Sequence, residues 1–201
     1  MLAKFFFSWF LIWLPIVFSG AVVLIILVNH FLPNRKYLLF LKKLTTIKLI
    51  YILIGGTLLF NLLLSGLQFL VWKQGAFSSF FLPPYQSIAY FLRYSFFHFF
   101  VANILVLFFA LAFYFFFRLV KKYRTDIISQ EELSLILLAG LLVSWPNLVL
   151  FIPLFLLLAV IFLVLNKKHL NLPLAIILSL TIIFIFGDYL INFLSLSVLA
   201  I

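Results

Sequence analysis

In a chain without cysteine, carboxylates are the side chains best suited to activate water, and this chain holds only four: Asp126, Glu131, Glu132 and Asp188. Three fall within seven positions, and Asp188 stands alone in an apolar run near the C-terminus. Two carboxylates sharing one proton can activate water, because like charges at close range cannot both ionise. Glu132 is the catalytic candidate on this logic, with Asp126 as the only other acid near enough to serve it. A structural role competes. Ser129-Gln130-Glu131-Glu132 before an apolar run is the signature of a capping box, and the acids offset Lys121, Lys122 and Arg124 in a water-facing connection. Asp188 lies about 22 Å along a helix from Pro173. That puts it near the opposite face from Glu132, at the interface or beside Lys73 or Arg93.

The other reactive types offer less. His30, His98 and His169 are scattered, each without a second ligand at metal spacing, and read as packed or interfacial side chains. With no cysteine there is no disulfide framework and no thiolate ligand or nucleophile. The sequence contains neither a G-x-S-x-G elbow nor an H-E-x-x-H or Walker pattern. No metal and no cofactor is expected.

The elements that position these acids are dictated by composition. The chain is 68% hydrophobic and 9% charged, with 29 phenylalanines. Phe5–Val28, Leu49–Trp72, Phe96–Phe117 and Leu172–Ile201 approach or exceed the ~20 residues that cross a hydrocarbon core about 30 Å thick. These runs are apolar on every side, which excludes an ordinary soluble domain and a β-barrel of short alternating strands. The fold class is all-α, a polytopic transmembrane bundle forming one integral membrane domain over residues 1–201. The apolar run after Lys4 continues past Ser19, Gly20 and Ala21, too long for a typical signal peptide, and reads as a retained first span.

The net charge of +10 reflects basic residues placed beside spans rather than a nucleic-acid surface. They cluster at Arg35 to Lys48, at Arg118 to Arg124, and at Lys167-Lys168. By the positive-inside rule these clusters are cytoplasmic, and the proline-containing stretch between Lys73 and Arg93 lies outside. Spans are expected at about 8–32, 49–71 and 95–117. Residues 133–165 then hold two short helices joined at Trp145-Pro146-Asn147, and a last span covers about 172–199. The count is about six, with both termini outside. Gly140 and Ser144 form a small-xxx-small pair suited to close helix approach, and Gly55-Gly56 can be read the same way.

Residues 95–195 resemble the type IV prepilin peptidases, membrane aspartic proteases that cut pilin-like precursors. In that family a span ending in a basic stretch is followed by a G-x-G-D-x-K motif, a glycine-spaced helix and a Gly-Trp-Pro-like turn. Here Phe99–Leu119 is followed by Lys121-Lys122-Tyr123-Arg124, by Gln130-Glu131-Glu132-Leu133-Ser134, and by Gly140 through Trp145-Pro146. The Pro173-containing start and closing Phe186-Gly187-Asp188 of the last helix are similar too. Counting back from Trp145 places Glu132 on the family's motif aspartate, Glu131 on the glycine before it and Ser134 on its lysine. The family's first catalytic aspartate precedes an element that Leu32-Pro33-Asn34 resembles, and the nearest polar residue here is Asn29.

The resemblance implies an aspartic-type endopeptidase of the bacterial inner membrane that cuts pilin-like precursors on the cytoplasmic side. Glu132, and after it Asp126, would activate water. The departures imply a degenerate, inactive member. The alternative is a non-enzymatic assembly or scaffold protein that binds other transmembrane helices through Gly140 and Ser144. A transporter is the weaker third reading, because the spans carry few polar residues at mid-depth. Expected partners are membrane lipids, a pilin-like precursor or other transmembrane helices, and no nucleic acid.

Overall fold

The computed structural model describes residues 46–123, 128–165 and 172–196, together with Val17, Gly20, Ala21 and Ile25. The chain divides into two compact units, residues 1–49 and 50–201. Most of the expected first span, together with Asn29, Leu32-Pro33-Asn34, Asp126, Lys167-Lys168, His30 and His169, lies outside the described residues.

Every regular element among the described residues is helical. Helix α1 runs over Thr46–Gln74, α2 over Ile88–Tyr123, α3 over Gln130–Leu142, α4 over Leu148–Leu165 and α5 over Leu172–Phe193. Of these, α1, α2, α4 and α5 are long and apolar enough to cross a membrane. The protein is therefore a helical membrane protein. At 13 residues α3 reaches only about 20 Å, less than the hydrocarbon thickness. The two short helices expected in 133–165 are present, and Trp145-Pro146-Asn147 forms the turn between them.

One boundary differs from expectation. The span expected at about 95–117 is part of a helix that begins at Ile88 and continues to Tyr123, 36 residues in all, or about 54 Å. Its first turns, Ile88–Ser95, are amphipathic, with Phe91 and Ser95 buried. A π-helical turn at Phe96–Phe100 then joins them to the apolar stretch Val101–Tyr123. A search for lipid-length apolar runs passes over such an amphipathic start.

Helix packing follows small residues. Within residues 50–201, α2 packs chiefly on α3, α4 on α5, and α3 also on α5. The buried stripe of α2 is Val106, Ala110, Phe113 and Phe117. That of α4 is Leu148, Phe151, Phe155 and Ala159, and Phe155 meets Phe113 and Phe117 edge-on at 5.5 and 5.7 Å. Along α5 the stripe includes Ala175, Ile176, Ser179, Ile183 and Gly187. These spacings of three, four, seven and eleven are those of one helix face. The opposite faces carry exposed Phe, Leu and Ile, as lipid-facing surfaces do.

Several polar side chains in the helices bond back into their own helix, where the solvent offers no partner. Thr57 donates to Ile54 O, Ser65 to Asn61 O, Asn103 to Phe99 O and Thr181 to Ile177 O.

The crossing of α2 and α3 is close. A Cβ added at Gly140 would stand 2.9 Å from Ala110 Cβ and 3.3 Å from Ala110 Cα. Gly140→Leu should therefore force α2 and α3 apart, at a cost of about 1–3 kcal/mol, and lower the melting temperature in detergent. Gly66 has nothing within 4 Å of an added Cβ, and Gly66→Ala should leave that temperature unchanged or raise it.

Candidate functional site

The connection into α3 is built by its own residues. Ser129 is the N-cap, and its side chain accepts from the Glu132 N–H at 3.1 Å. The Glu132 carboxylate in turn accepts from the Ser129 N–H at 2.7 Å. The capping box read from the sequence is thus complete and satisfies two backbone donors that the helix start leaves free. Ile128 and Leu133, the residues that flank such a cap as a hydrophobic staple, are both buried. Glu131 occupies the same first turn, where the helix dipole favours negative charge. Ser134, on the position of the family's lysine, donates to Gln130 O at 3.2 Å.

Lys121 near the end of α2 donates to Gln130 Oε1 at 3.2 Å. With Ala110 against Gly140 and Phe109 stacked on Trp145 at 5.8 Å, this shows that α2 and α3 run antiparallel. One end of the pair holds Lys121, Gln130 and Glu132. The other holds Phe109 and the Trp145-Pro146-Asn147 turn. Roughly 18 Å of α2 lies between Phe109 and Lys121.

Asp188 belongs to the second end. Its Oδ1 accepts from Asn147 Nδ2 at 3.3 Å, a neighbour that the expectation of an interfacial acid or one beside Lys73 or Arg93 did not include. Asn147 is held closely on the other side as well. A Cβ at Gly187 would stand 2.6 Å from Asn147 Oδ1, an oxygen that is buried and makes no hydrogen bond. The sequence reading treated Asn147 only as a turn residue. The signal available was Gly187 beside Asp188, since a helix glycine next to the lone acid leaves room for a neighbouring side chain.

Glu132 and Asp188 are therefore separated by the length of the α2–α3 contact and cannot share a proton. Asp126 lies outside the described residues. His98 is exposed and stacks on Tyr94 with ring centroids 5.3 Å apart. Among the described residues no group of three or more His, Asp or Glu side chains could hold a metal ion. Gly140, offered by the sequence as a surface for foreign helices, is buried and committed to Ala110 within the chain.

No family model, curated protein or solved structure matches the chain.

Two stability experiments follow from these contacts. Ser129→Ala should cost about 1 kcal/mol, whereas Glu132→Gln keeps an acceptor at the third helical position and should cost much less. Thermal unfolding in detergent reads both. Asn147→Ala and Gly187→Ala should each destabilise, the second by displacing the Asn147 side chain. Their double variant should lose less than the sum, because both remove the same Asn147–Asp188 link.

Proposed function

We propose that the chain is a multi-pass protein of the bacterial inner membrane on a prepilin-peptidase-like scaffold, with two-carboxylate catalysis lost and helix binding retained. The observation that carries this reading is the use made of Glu132. Its carboxylate accepts from the Ser129 N–H as part of the cap of α3, and the acid at the far end, Asp188, is bonded to Asn147. An aspartic-type site needs two acids on one water.

The resemblance supports the scaffold part of the proposal. A basic stretch, an acid at a helix mouth, Gly140, Trp145-Pro146 and a closing Gly187-Asp188 occur in the family's order. In this reading residues 8–32 supply a further span beyond the four long helices, and α3, at about 20 Å, reaches part of the way into the bilayer before the chain turns back through α4. The basic clusters face the cytoplasm, so Glu132 lies on that side, and the Asn147–Asp188 pair lies roughly 18 Å farther along α2, away from it. Binding of a precursor's apolar helix falls to outward surfaces such as Phe184, Ile185 and Tyr189 on α5, which are exposed. Gly140 is already occupied.

The test is co-expression with a pilin-like precursor. The precursor is expected to stay uncleaved with the wild-type chain, with Glu132→Gln and with Asp126→Asn alike, and to co-purify with the chain in mild detergent. Cleavage by the wild type that Glu132→Gln abolishes would instead establish an active peptidase, with Glu132 as its water-activating group. Neither cleavage nor co-purification would refute the helix-binding role.

A further inference from the structure

The stretch between α1 and α2 is chemically unlike a water-exposed loop. No charged residue occurs between Lys73 and Arg93. Its aromatic side chains point outward: Phe77 is 86% exposed and Tyr85 65%, with Phe80 and Phe81 also exposed. In water such a cluster would carry a large hydrophobic cost.

Much of the backbone here is hydrogen-bonded within the segment. Gly75 N–H donates to Val71 O and Trp72 O, Ser79 N–H to Gly75 O, Leu82 N–H to Ser79 O, and Tyr85 and Gln86 N–H to Leu82 O, at 3.1–3.3 Å. The Ser78 and Ser79 hydroxyls donate to Trp72 O and Ala76 O. Internal satisfaction of this kind is what an apolar or interfacial medium demands of non-helical backbone.

The segment is also anchored. Trp72 at the end of α1 lies 4.7 Å from Tyr94, 5.4 Å from Phe91 and 5.7 Å from Phe81, between ring centroids. Leu82 is buried beneath. The amphipathic first turns of α2 thus fold onto the end of α1 and hold the segment as a fixed cap. Trp and Tyr beside flanking Lys and Arg are the composition of a membrane–water boundary.

We propose that residues 75–90 lie in the headgroup–acyl boundary of the bilayer, with Phe77, Phe80, Phe81 and Tyr85 inserted among lipid chains. The occupant of this surface is lipid, because the segment joins two membrane-length helices end to end and is flanked by exposed apolar Leu70 and Val71 of α1 and Ile88 and Leu92 of α2. The proposal rests on membrane placement alone and is independent of any peptidase ancestry.

The natural absence of cysteine makes the test direct. Phe77→Cys and Tyr85→Cys, each spin-labelled, would be reconstituted in phosphatidylethanolamine–phosphatidylglycerol vesicles. Collision with oxygen, which concentrates in lipid, would be compared with collision with a water-soluble nickel chelate. Phe108→Cys, exposed midway along α2, supplies the hydrocarbon reference, and Glu131→Cys, in the first turn of α3, the aqueous one. Both cap labels are expected to give an oxygen-to-nickel ratio several-fold above the Glu131 label, approaching that of Phe108. A ratio equal to the Glu131 label would overturn the proposal in favour of a solvated loop. Shielding from both reagents would overturn it in favour of a protein surface covering the cap. Should either variant fail to purify as a monodisperse protein, Phe80→Cys gives the same reading.

Discussion

The close approach of Gly140 to Ala110 governs the arrangement of everything around it. With no side chain on Gly140 and only a methyl group on Ala110, α3 lies almost backbone to backbone on α2. In a lipid solvent helices gain little from hydrophobic segregation, and association depends on packing and hydrogen bonds. That contact sets the antiparallel register, which brings Lys121 to Gln130 at one end and Phe109 to Trp145 at the other. Moving α3 by one turn would break both.

The same principle explains where the inside of the molecule is. The helices are apolar all round, so hydrophobicity does not distinguish the protein-facing side from the lipid-facing one. Size does. Ala110, Ala139, Gly140, Ala159, Ala175, Ser179 and Gly187 are all buried, and larger residues such as Phe113 and Phe155 fill the space that these small ones leave between them. Exposed Phe and Leu on the opposite faces have lipid as their solvent.

The acids are deployed just as sparingly. An uncompensated carboxylate is costly near hydrocarbon, and two of the four are tied by hydrogen bonds to nearby groups. Glu132 completes the start of α3, and Asp188 meets Asn147 next to a glycine that leaves the amide room. The first tie closes the start of α3 itself, and the second joins the turn before α4 to α5.

Much of this was legible in the sequence. Apolar runs of lipid length announced a helical membrane protein, Ser129 and Glu132 announced a helix cap, and Trp145-Pro146-Asn147 announced a turn. Each of these depends on local chemistry: segment length, a side chain three residues from a backbone donor, a proline that cannot continue a ladder. The tertiary structure alone decided which neighbour Gly140 would meet, that Asp188 would face Asn147 rather than a basic residue, and that the amphipathic start of α2 would fold onto Trp72. Those outcomes depend on helix register and rotation. A sequence whose helices are apolar on every side leaves rotation unspecified, because in lipid any face can point outward and only the fit of small residues against their neighbours selects one.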